Sequence, residues 1–117
     1  MTTQLAFQLR ACPTFHDSRG GAALLIFLTA QPEYPSHATV TADGIVHVHL
    51  QTLRRGARLN RMLRGFLARH LAVPLEHIEI AAGADGAGKI VCFYHITPVE
   101  LEHRLLRWLQ GVAPRVW

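Results

Sequence analysis

Lysine, serine and cysteine are all scarce in this chain of 117 residues, and each shortage narrows what it can be. Cys12 and Cys92 are the only cysteines. Two are too few for a disulfide framework, so the expectation is a reducing, cytoplasmic setting. Ser18 and Ser36 are the only serines, and neither sits in the strand–turn–helix context of a nucleophile elbow. The longest apolar run, Ala22 to Leu28, is seven residues, against about 20 needed to span a bilayer. The opening Met-Thr-Thr-Gln carries neither the basic nor the apolar region of a signal peptide. No membrane span and no secretion signal are expected. Charged residues make up only 17% of the chain and hydrophobic ones 50%, which excludes disorder as the main state. Twelve basic against eight acidic residues leave a net charge of +4. A chain of this length forms one domain, here residues 1–117.

What is present reads as strands first and helices later. Leu5, Phe7 and Leu9 alternate with polar neighbours, a period of two that predicts a strand wet on one face. Pro13, Asp17, Ser18, Gly20 and Gly21 mark a turn. Leu24–Thr29, apolar on both sides, predicts a central strand. Ala38–Thr41 and Ile45–Leu50 flank Asp43-Gly44, the strongest two-residue hairpin signal. From Ala57 to Ala72 the period becomes helical, with Leu59, Leu63, Phe66, Leu67 and His70 on one face, and Val73-Pro74 ends it. Ile78–Ile80 and Lys89–Ile96 predict two more strands. Thr97-Pro-Val-Glu100 is a capping box opening a helix with Val99, Leu101, Leu105, Leu106 and Leu109 on its apolar face, closed at Gly111. The predicted class is α+β, a mixed β-sheet of about five to six strands with two α-helices packed on one face.

The charge is unevenly spread. No acidic residue lies between Gly44 and Leu75, whereas Arg54, Arg55, Arg58, Arg61, Arg64 and Arg69 all do. On a helical projection Arg54, Arg58, Arg61 and Arg69 fall within about 60° of Arg58, opposite the apolar face. Gly65 sits inside this stripe, where a glycine costs roughly 1 kcal/mol relative to alanine and offers close backbone approach. Arginines around free helix N–H groups suit an anion; a solvated face in an arginine-preferring composition is the plainer reading.

Other motifs are weaker. Gly83–Lys89 spells G-x-x-x-x-G-K, but a β-branched run follows instead of a helix with Ser or Thr, so a phosphate-binding loop is not expected. His47 and His49 share one strand face, and His37 could join them across the hairpin as a third metal ligand. No acid or cysteine cluster supports such a site, and neither a metal nor another cofactor is expected. Cys92, mid-strand, reads as a buried, inert thiol. Cys12, His16 and Asp17 form no fixed catalytic geometry, so the chain is not expected to be an enzyme. Trp108 is expected to pack the last helix onto the sheet.

From Leu24 to about Trp108 the sequence resembles the small YggU-like family of domains without an established activity. Arg58 stands at the family's lysine and Asn60 at its asparagine in Lys-Ala-Asn. Leu71-Ala-Val-Pro74 matches Leu-Gly-Val-Pro, Ile78-Glu-Ile80 the Val-Glu-Ile strand, and Gly83 and Lys89 the glycine and lysine of the following loop. No gap is needed from Ala57 to Lys89. Leu53-Arg-Arg-Gly-Ala57 and Asp85-Gly-Ala87 depart from the family's Pro-Pro-Val-Asp-Gly and Thr-Ser-Arg. The resemblance implies a YggU-like core at 24–108, a mixed sheet with two helices on one face, and an added N-terminal strand and loop at 1–23. The function expected is non-enzymatic binding of a polyanion, RNA first, through Arg54, Arg55, Arg58, Asn60, Arg61, Arg69 and Lys89. Aromatic residues that would stack bases are missing from that stripe. The alternative is a protein-interaction module that docks an acidic partner or pairs through its added edge strand.

Overall fold

Alternation along the central strand sets the architecture. The computed structural model describes residues 9–10, 21–42, 44–82 and 88–112. β1 is Leu9–Arg10, β2 Gly21–Ala30, β3 His37–Val40, β4 Val46–Leu50, β5 Ile78–Ala82 and β6 Gly88–Tyr94. They form one mixed sheet in the order β3-β4-β2-β6-β5, with β1 also pairing with β2. β2 and β4 run parallel, and every other neighbouring pair is antiparallel. β1 lies antiparallel to β2, Leu9 beside Leu24 and Arg10 beside Ala23. Residues 4–8, the turn at 12–20, Asp43, the loop at 83–87 and Trp117 lie outside the described residues.

One face of this sheet is the core. Ala22, Leu24, Ile26 and Leu28 of β2 share it with Val46, Val48 and Leu50 of β4 and with Val91 and Phe93 of β6, all buried in one cluster. Two helices cover that face, α1 (Gly56–Leu71) and α2 (Pro98–Val112). α1 buries Leu63, Leu67 and Leu71, with Leu59 and Phe66 half-buried beside them. α2 buries Leu101, Leu105 and Leu109. Val99, expected on this apolar face, is instead 64% exposed. Trp108 is only 8% exposed, and its contacts are with α1 rather than the sheet alone. Its ring stacks on His70 at 5.0 Å and meets the edge of Phe66 at 5.7 Å.

The helix ends differ from the pattern in instructive ways. α1 stops at Leu71, and Ala72 takes a left-handed conformation, φ 56°, that L-residues other than glycine and asparagine rarely adopt. Arg104 of α2 donates through Nη1 to the carbonyls of Leu71 (3.2 Å) and Ala72 (2.8 Å), satisfying groups that a helix end leaves open. A single 3-10 turn, Leu75–His77, then leads into β5. The capping box of α2 is half formed. Thr97 Oγ1 accepts from the Glu100 N–H at 3.1 Å, whereas the Glu100 carboxylate accepts from Arg104 Nε at 3.0 Å. That bond holds the Glu100 carboxyl below its ordinary range. α2 also runs one residue past Gly111, to Val112.

The hairpin is wider than its sequence suggests. Val40 pairs with Val46, so residues 41–45 form the connection instead of a two-residue Asp-Gly turn. Thr41 closes it: its N–H donates to Ile45 O, its carbonyl accepts from Gly44, and its hydroxyl accepts from the Ile45 N–H.

Cys92 is fully buried, as expected, but it is not a thiol. It is disulfide-bonded, and the sequence holds one other cysteine, Cys12. Scarcity ruled out a framework of bridges and did not rule out a single one. The denatured, unreduced chain should therefore show no thiol to Ellman's reagent, and the reduced chain two. Reduction should lower stability by about 2–4 kcal/mol, read from denaturant midpoints. Two reactive thiols before reduction would remove the bridge.

Candidate nucleic-acid interface

Helical periodicity places the arginines. With Leu63, Leu67 and Leu71 turned to the sheet, the opposite face of α1 is solvent-exposed and carries Arg58, Arg61 and Arg69, with Arg54 just ahead of the helix. The first turn has no acidic residue, and no side chain caps its N–H groups. Arg54, Arg58 and Arg61, with Met62, line an open groove of about 520 Å³, and no carboxylate lines it. Among the described residues the guanidinium groups of Arg54, Arg58, Arg61 and Arg69 make no ion pair. Four of the seven residues expected to form the site thus share one surface.

The other three do not join it in the same way. Arg55 turns back on its own backbone, Nη1 donating to Leu53 O (3.3 Å) and Arg54 O (3.0 Å). Asn60 is half-buried and lines the cleft between α1 and β5, together with Arg61, Arg64, Glu79 and Tyr94. Lys89 is only 4% exposed and lies beside Ile26, on the helix-facing side of β6. A lysine held there cannot meet a polyanion on the outer face of α1. It also continues a strand, so the G-x-x-x-x-G-K spelling has no helix behind it. Arg64, left out of the expected site, is structural: Nε donates to Ile78 O (3.0 Å) and Nη2 to Leu75 O (3.1 Å).

Gly65 is exposed, and nothing lies within 4 Å of where a Cβ would stand. No tertiary contact of the described residues requires a glycine here. Gly65→Ala should stabilise the fold by about 0.5–1 kcal/mol through helix propensity alone. If the glycine admits a phosphate close to the backbone, the same variant loses affinity for a polyanion while its melting temperature rises. A fall in melting temperature would show that the site is packed after all.

The opposite face of the sheet carries chemistry that the arginine pattern did not point to. His37, His47 and His49 share it, as strand alternation required, with Phe27 of β2. Their rings stand side by side, His37 against His49 at 4.6 Å and Phe27 against His47 at 5.3 Å. Among the described residues no group of three His, Cys, Asp or Glu side chains is placed to hold a metal ion. The imidazole of His49 titrates below its ordinary value of 6.5, through burial first, then the neighbouring His37 and His47. A lowered folded value favours the neutral ring, so the stability it contributes is complete above 6.5 and is lost as pH falls through the folded value. Between pH 7.5 and 5 the melting temperature of the wild type should fall further than that of His49→Gln. Equal slopes would contradict this assignment. The H-x-H spacing was the signal for this row; only the strand register adds Phe27.

Compared with models of known protein families, the chain matches none. No described helix is long and apolar enough to cross a membrane.

Proposed function

We propose that this chain is a non-enzymatic RNA-binding module, a divergent relative of the YggU-like family, in which α1 holds phosphates through its outward arginines. One observation carries the reading: Arg54, Arg58 and Arg61 converge on a single groove that no carboxylate lines. Like charges gathered in one groove without an ion pair repel one another, and a polyanion relieves that repulsion while releasing its own counterions. The uncapped first turn of α1 adds N–H groups and the positive end of the helix dipole at the same place. Recognition of this kind positions the phosphate backbone and carries little sequence information.

Four arginines on phosphates give log K against log salt a slope of about −3 to −4. In fluorescence anisotropy at 50, 100 and 200 mM salt, wild type should bind labelled RNA with that slope. Arg58→Glu/Arg61→Glu should abolish binding and leave stability within about 0.5 kcal/mol, since both side chains are exposed and unpaired among the described residues. No binding at the lowest salt would overturn the RNA reading and leave an acidic protein as the groove's partner. A large loss of stability in the variant would make these arginines structural.

A further inference from the structure

The row of rings on the open sheet face has no part in the phosphate groove. Register places it across three adjacent strands, with Phe27 of β2 beside His47 of β4, and His49 of β4 opposite His37 of β3. All four side chains are only partly buried, and the exposed Thr29 and Thr39 flank them. His37 is held in place, because the carbonyl of Pro35 can only accept and its Nδ1 must donate, at 2.9 Å. The interval between His47 and His49 is wider than the others, 6.4 Å with the planes 19° apart. That interval is the ordinary spacing of side chains two positions apart on one strand, about 6.6 Å, so the closer ring pairs are the ones across strands.

The row also leads to the basic groove. Gln31 N–H donates to Leu50 O (2.9 Å), Gln51 N–H to Ser36 Oγ (2.9 Å) and Gln51 Nε2 to Pro32 O (3.3 Å). These bonds draw loops 31–36 and 51–55 together at the end of the sheet where His37 and His49 stand. The second loop carries Arg54 to the start of α1. Glu33 is the one carboxylate in these two loops.

We propose that this face is a stacking platform for single-stranded RNA, in which unpaired bases lie on the partly exposed rings of Phe27, His37, His47 and His49 while the phosphates pass toward Arg54. The proposal rests on the RNA reading above and deepens it by naming the form of RNA. Imidazole rings and a phenyl ring offer π-faces to any base, and a duplex, whose bases are already stacked, cannot use them. The platform therefore supplies the base contacts that the arginine stripe lacks.

Two measurements test it on the full chain, with a 12-nucleotide RNA and the blunt duplex of the same sequence. First, a 2-aminopurine base in the single strand should be quenched when wild type binds, a readout that needs no variant. Second, His47→Thr/His49→Thr keeps strand-favouring residues at both positions and should weaken single-strand binding about 5- to 100-fold. Its duplex affinity and its circular dichroism melt should stay unchanged. Salt-steep binding with no quenching, or a variant that keeps full single-strand affinity, would overturn the platform and leave the arginine groove standing. Failure of wild type to bind either RNA would overturn both readings together.

Discussion

Burial of one leucine stripe against one sheet face decides where everything else goes. Leu63, Leu67 and Leu71 point inward, and the 3.6-residue period then leaves Arg58, Arg61 and Arg69 no position but outward. The same core acts through the period of two in the sheet. Val46, Val48 and Leu50 face the helices, so His47 and His49 must stand on the other side. Both candidate surfaces are consequences of a single packing choice, on opposite sides of the sheet. Core substitutions that let α1 rotate would move the arginine groove as well as destabilise the fold.

Arginine, rather than lysine, is what makes this arrangement workable. A guanidinium has several donors in a fixed fork and can serve two carbonyls at once. Arg104 does so at the end of α1, and Arg64 joins α1 to the turn before β5. Those two are structural, while Arg54, Arg58, Arg61 and Arg69 are available to a ligand. Arg64 lies between Arg61 and Arg69 in sequence, but its helical phase turns it off the stripe, toward its partners Leu75 and Ile78.

Much of the fold was legible because it is local. The helical period of Leu59–Leu67, the Thr97 cap and the alternation in β4 each concern residues a few positions apart, and each stands as expected. What was not legible depends on contacts between distant residues. Ala72 gives no hint of a left-handed helix end, because Arg104 supports it from the next helix. Val99 follows the apolar spacing of α2 and still faces solvent, since the helix turns its first residues away from the core. Lys89 entered the expected site through its match to the loop lysine of the YggU-like resemblance; the register beside Ile26 buries it. Cys92 read as an inert thiol, and pairing is a property of tertiary structure. For the candidate site, the arginine stripe could be read from spacing alone. The ring row could be read only in part, since Phe27 is twenty residues before His47 and joins it through the parallel pairing of β2 with β4.

The most direct test of the central claim, that RNA phosphates lie on the outward face of α1, is a backbone amide chemical-shift titration of the labelled protein with a short RNA at low salt. The account expects the largest perturbations at Arg54, Arg58, Arg61, Gly65 and Arg69, with Leu63, Leu67 and Leu71 little changed. Saturating RNA that leaves those outward amides unmoved, or that moves only residues of β5 and α2, would contradict it.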